Sequence, residues 1–125
     1  TGAAAVRFTI TDSGEFYDDI AIDDVSFIEA PTCLAPTNLV VSDINPTNVD
    51  LSWDASVTPP GDGYYWEIQP QGNPQGGLGI INSGTTAAGV TTVIDATGPF
   101  VAGNTYTLYV NAVCIAGVDE STFTS

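Results

Sequence analysis

Apolar side chains in this chain fall on alternate positions. Val49, Leu51 and Trp53 alternate with Asp50 and Ser52, and Tyr106, Leu108, Val110 and Ala112 alternate with Thr107, Tyr109 and Asn111. Successive strand residues point to opposite faces, so a period of two predicts strands with one buried face. No stretch repeats apolar residues at helical spacing over three turns. Thirteen Gly and eight Pro punctuate the chain, with β-branched residues between them, a pattern of many short strands joined by turns. The expected strands cover residues 38–41, 49–53, 64–68, 78–81, 91–95 and 105–113, with a last one starting near Ser121. The Gly-flanked 78–81 stretch reads as an edge strand. Two further strands come first. Residues 5–10 alternate Val6, Phe8 and Ile10 against Ala5, Arg7 and Thr9, and residues 20–28 follow the Asp12-Ser13-Gly14 turn signal. The chain thus divides into a two-stranded segment at 1–30, a linker at 31–36 and an all-β sandwich at 37–125.

Charge narrows the function. Fifteen acidic residues face one base, Arg7, for a net charge of −14. Such a surface repels nucleic acid and anionic membranes, and no apolar run approaches the roughly 20 residues that span a bilayer. Histidine and lysine are absent, which removes Ser-His-Asp catalysis, imidazole metal sites, Schiff bases and lysine crosslinks. Nothing in the pattern points to an enzyme. A chain that opens Thr1-Gly2-Ala3 and has no methionine reads as a processed or excised piece of a larger protein. The two cysteines, Cys33 and Cys114, have neither redox-motif nor zinc-site spacing. They are either two buried thiols or one long-range disulfide, and an exported protein favours the disulfide.

Residues 36–125 resemble a fibronectin type III domain. Pro36-Thr37-Asn38-Leu39 looks like that family's opening strand. Val49-Asp50-Leu51-Ser52-Trp53 looks like its second strand, with Trp53 in the core. Phe100-Val101-Ala102-Gly103-Asn104-Thr105-Tyr106 looks like the approach to its tyrosine corner. The resemblance implies an immunoglobulin-like sandwich in which the Tyr106 hydroxyl bonds to backbone a few residues upstream. The cysteine pair is similar to a bacterial secreted or surface variant in which a Cys before the first strand pairs with one late in the domain. Residues 19–27 resemble the final strand of a MAM-type or related carbohydrate-binding jelly roll. That resemblance implies a structural calcium near Asp23 and Asp24, in a front segment with seven acids between Asp12 and Glu29. The alternative for these acids is a solvated edge.

Two isolated strands are marginal in water. Val6, Phe8, Ile10, Ile20, Ile22, Val25 and Phe27 therefore need a partner surface. It is supplied by missing jelly-roll strands of a parent chain, by a neighbouring subunit through strand addition, or by the chain's own sandwich. Tyr64, Tyr65 and Trp66 form a candidate sugar-stacking cluster, although alternation lets at most two share a face. The leading expectation is a structural or adhesive module of an exported, cell-surface or filament protein, self-associating or joined to neighbouring β modules. The second is a carbohydrate-binding accessory module of a secreted multidomain enzyme, with polysaccharide as partner.

Overall fold

The structure is a computed structural model that describes residues 7–9, 14 and 32–125. Seven antiparallel strands form two sheets. The first has the order β1 (Thr37–Ser42), β2 (Asn48–Asp54), β5 (Thr92–Thr97). The second has the order β4 (Asn82–Thr86), β3 (Tyr64–Pro70), β6 (Tyr106–Ile115), β7 (Asp119–Glu120). No helix occurs among the described residues, so none is long and apolar enough to cross a membrane there. The all-β sandwich expected from the alternation is the observed fold.

The period-two pattern becomes the core directly. Val49, Leu51 and Trp53 from β2 meet Tyr64, Trp66 and Ile68 from β3 and Leu108, Val110 and Ala112 from β6, all buried. Trp53 lies edge-on to Tyr64 with ring centroids 5.5 Å apart, a geometry that puts one ring's positive edge on the other's negative face. The Tyr64 hydroxyl accepts the Ser56 N–H at 3.0 Å, so this fully buried phenol keeps a partner.

The edges differ. Both outer strands of the first sheet are irregular. The β1–β2 register shifts between Thr37 and Val40, where Asn38 has φ 50°, and the β2–β5 register shifts between Val49 and Leu51, opposite Asp95 at φ 55°. Bulges and left-handed residues of this kind twist an edge away from further pairing. The β3–β4 register is unbroken from Tyr64–Thr86 to Ile68–Asn82.

The edge strand differs from the expected one. Residues 78–81 do not form it; Leu78 is 95% exposed, and the strand begins at Asn82. Gly76 and Gly79 carry φ of 66° and 96°, left-handed values that turn the chain, until Ile81 rejoins β3 through its N–H to Ile68 O at 2.8 Å. Gly84 in β4 has a separate role: a Cβ there would stand 3.0 Å from the Trp66 ring. The glycine is the floor on which Trp66 lies. The last strand falls near Ser121, as expected, and is short. β7 occupies only Asp119–Glu120, and Thr124 makes an isolated bridge to Val110 further on.

Candidate functional site

Four features could carry a role, and each grows from the ladder. The first is the disulfide. Cys33 and Cys114 are bonded, with Cα atoms 5.8 Å apart across 81 positions. Residues 32–36, read from sequence as part of a linker, are thus pinned to the end of β6. Cys33 and Pro36 are buried there, and Thr32 donates to Asp119 at 2.8 Å.

The second is the corner before β6. The Tyr106 hydroxyl accepts the Val101 N–H at 2.9 Å, five residues upstream. Its ring meets Phe100 edge-on at 5.4 Å. This fixes the turn that carries the chain from one sheet to the other.

The third is the outer face of the second sheet. Because Tyr64, Trp66 and Ile68 face inward, Tyr65, Glu67 and Gln69 face outward, paired with Asn111, Tyr109 and Thr107 of β6. Outward residues of a sandwich are ordinarily wet, yet Glu67, Gln69 and Asn111 are 0–2% exposed. Three donors converge on the Glu67 carboxyl: Gly76 N–H at 2.7 Å, Tyr65 Oη at 3.0 Å and Gln69 Nε2 at 3.3 Å. The Tyr109 hydroxyl donates to Asn73 O at 2.9 Å. The 71–78 turn is thereby tied down onto the sheet. Phe123 stacks edge-on against both Tyr65 and Tyr109. Burial, reinforced by the hydrogen bond and charge of Glu67 and opposed by a Ser83 hydrogen bond, pushes the Tyr65 phenol above its usual value. Gln69 Oε1 and Asn111 Oδ1 lack a partner within this network.

This arrangement separates the three aromatics of the expected glycan cluster. Tyr64 is 0% and Trp66 5% exposed; both are core residues and have no face to offer a sugar. The register decides it, because every second β3 residue points between the sheets. Only Tyr65 is outward and part-exposed, and its neighbours are Tyr109 and Phe123.

The fourth feature is an apolar groove of about 520 Å³. Val49, Leu51, Ile68 and Leu108 form its floor, Val41 and Tyr106 its walls, and Ile44 and Val101 stand at its mouth. No residue of β4 or β5 lines it, and the loops at 44–46 and 100–105 close it at one end of the sandwich.

The expected calcium ligands Asp23 and Asp24 lie outside the described residues. So do Val6, Ile10, Ile20, Ile22, Val25 and Phe27 of the assembly strands. Phe8 is described, and it is 55% exposed. Among the described residues no cluster of three or more His, Cys, Asp or Glu side chains could hold a metal. Sequence reading missed the Glu67 network and the groove. The first depends on which side of β3 a distant turn covers, and the second on how the loops at 44–46 and 100–105 stand at one end of the sandwich.

No curated protein matches the chain. Two solved structures have the same fold. One, described as a myokine structure, has a TM-score of 0.53 at 18% identity, covering 77% of this chain and 92% of that one. The other, a fibronectin type III domain of human collagen XX, has a TM-score of 0.52 at 17% identity, covering 80% and 96%. At these identities they speak for the fold alone. The fibronectin type III family model matches residues 34–125, the stretch that holds Trp53 between the sheets and the Tyr106 corner, and by that match the chain belongs to the fibronectin type III family.

Proposed function

We propose that this chain is a structural and adhesive module of an exported surface or filament protein. The sandwich spaces and stiffens; exposed strands link it to neighbouring β modules or to other copies. Fibronectin type III domains are typically non-catalytic structural or interaction modules, and the absence of His and Lys accords with that. The observation that carries the reading is the Cys33–Cys114 bridge. Disulfides persist in oxidising compartments, and this one encloses β1 to β6 in a covalent loop. Under tension, the 81-position loop cannot extend. Single-molecule stretching tests this: reduction should lengthen the unfolded chain by about 280 Å, at roughly 3.5 Å per residue. Equal lengths before and after reduction would remove the mechanical role.

The alternative, a carbohydrate-binding accessory module, rests on one observation: Tyr65, Tyr109 and Phe123 meet as an aromatic group on the outer face of the second sheet. Polysaccharide binding that disappears in Tyr65→Ala would favour it.

A further inference from the structure

The edge of a sheet presents unpaired backbone groups, and proteins guard such edges with bulges, charge or proline. β1 and β5 are guarded by register shifts and by the left-handed Asn38 and Asp95. β4 has none of these devices. Asn82-Ser83-Gly84-Thr85-Thr86 holds no charge and no proline, its register with β3 is unbroken, and no residue in it has positive φ. Among the described residues β3 is its sole ladder partner. The Ser83 N–H goes to Asn82 Oδ1 at 2.8 Å rather than to β3. Backbone groups alternate along a strand, so the N–H and C=O of Thr85, two residues on, also turn away from β3. Thr85 is exposed.

Charge singles out the same edge. The chain has a net charge of −14, yet residues 68–94 contain no charged side chain. That run holds β4 and the turns on either side of it. Glu67, the acid just before the run, is buried and bonded to the Gly76 N–H. Apolar side chains stand exposed around the strand: Leu78 and Ile80 before it, Val90 after it. Two copies of so acidic a chain repel each other wherever acids face acids. A neutral edge with apolar flanks is where that repulsion is least and where burial returns most.

We propose that β4 pairs antiparallel with β4 of a second copy of this chain, across a two-fold axis at Thr85, so that the two second sheets become one continuous sheet. The Thr85 N–H and C=O exchange bonds with the same groups of the other copy. Ile80 lies five residues before Thr85 and Val90 five after it. The two-fold therefore sets Ile80 of one copy toward Val90 of the other, at both ends of the contact. Identical surfaces meet, so the assembly closes at the dimer. This rests on the self-association part of the proposed function. The stretching experiment above reads the disulfide alone, so the two fail separately.

The test is sedimentation velocity on the full chain and on two variants at this exposed position. The wild type should show a monomer–dimer equilibrium that tightens as salt rises from about 0.05 to about 0.5 M, because salt screens the repulsion between copies. Thr85→Asp and Thr85→Lys each set like charges face to face across the axis, and each should weaken dimerisation about 10-fold or more. An equimolar mixture of the two should recover dimers to within about 3-fold of wild type, because opposite charges then face. A wild type that stays monomeric at every salt and protein concentration overturns the proposal. So do variants that dimerise like wild type, or a mixture no tighter than its parts. Amide exchange at Thr85 gives a readout that needs no variant. Protection that grows with protein concentration supports the proposal. Protection that is absent, or the same at every concentration, means that no second copy covers the edge, and overturns it.

Discussion

Two tyrosines make opposite use of their hydroxyls. That of Tyr106 accepts from Val101 and holds a turn; that of Tyr65 donates to Glu67 and helps seal a polar cluster. Tyr106→Phe should therefore cost about 1 kcal/mol in urea unfolding, the net value of one hydrogen bond, with the fold unchanged. Glu67→Ala should cost more, about 2 kcal/mol, because Gly76 N–H, Tyr65 Oη and Gln69 Nε2 all lose an acceptor and Gln69 is itself buried. It should also speed amide exchange at Gly76 while leaving Leu51 slow. For Tyr65 the sign is fixed by the raised phenol. The folded state holds its proton more tightly than the unfolded one, so its contribution is complete below pH 10, the ordinary tyrosine value, and is lost as pH rises through the higher folded value. Wild-type stability should decline above pH 10 more steeply than that of Tyr65→Phe, measured by denaturant midpoint against pH. Equal slopes would remove Tyr65 from the network's energetics.

At the scale of strands, the sequence is legible where burial and alternation coincide. β2 and β6 are read nearly residue for residue, since Val49, Leu51, Trp53, Leu108, Val110 and Ala112 face one core. β4 is not legible. Its residues, Asn82-Ser83-Gly84-Thr85-Thr86, contain no apolar side chain, and the strand exists because β3 pairs with it and Trp66 lies on Gly84. The apolar stretch just upstream, Leu78 to Ile81, gives a false signal, because glycines turn it before it can pair. The Glu67 cluster is equally hidden. Alternation puts Glu67 and Gln69 on the outer face, and only the tertiary fold buries them. Gly63, where β3 begins, shows how little slack that strand has. It sits at φ +86°, and a Cβ there would stand 2.0 Å from Thr86 O. Gly63→Ala should break the start of the β3–β4 ladder and destabilise by about 3 kcal/mol or more, combining a left-handed penalty with a backbone clash. A midpoint within 1 kcal/mol of wild type would contradict the packing at Thr86.

The whole molecule depends on its covalent tie. Closing a loop of 81 positions removes conformational freedom from the unfolded chain, worth about 4 kcal/mol in the chain-entropy model. Reduced protein should therefore unfold at a much lower urea concentration than oxidised protein, with a steeper dependence on denaturant if its unfolded state expands. The cysteine pairing was open in the sequence between bridge and free thiols; the fold closes it because the approach to β1 and the end of β6 come together. That same placement governs what survives damage. In the 71–80 turn Leu78 stands in water, 95% exposed, and the turn lies inside the loop closed by sulfur. A protease that nicks it leaves two peptides still held as one particle, so the module can be cut in service without being severed, and its fragments separate only once the surroundings turn reducing.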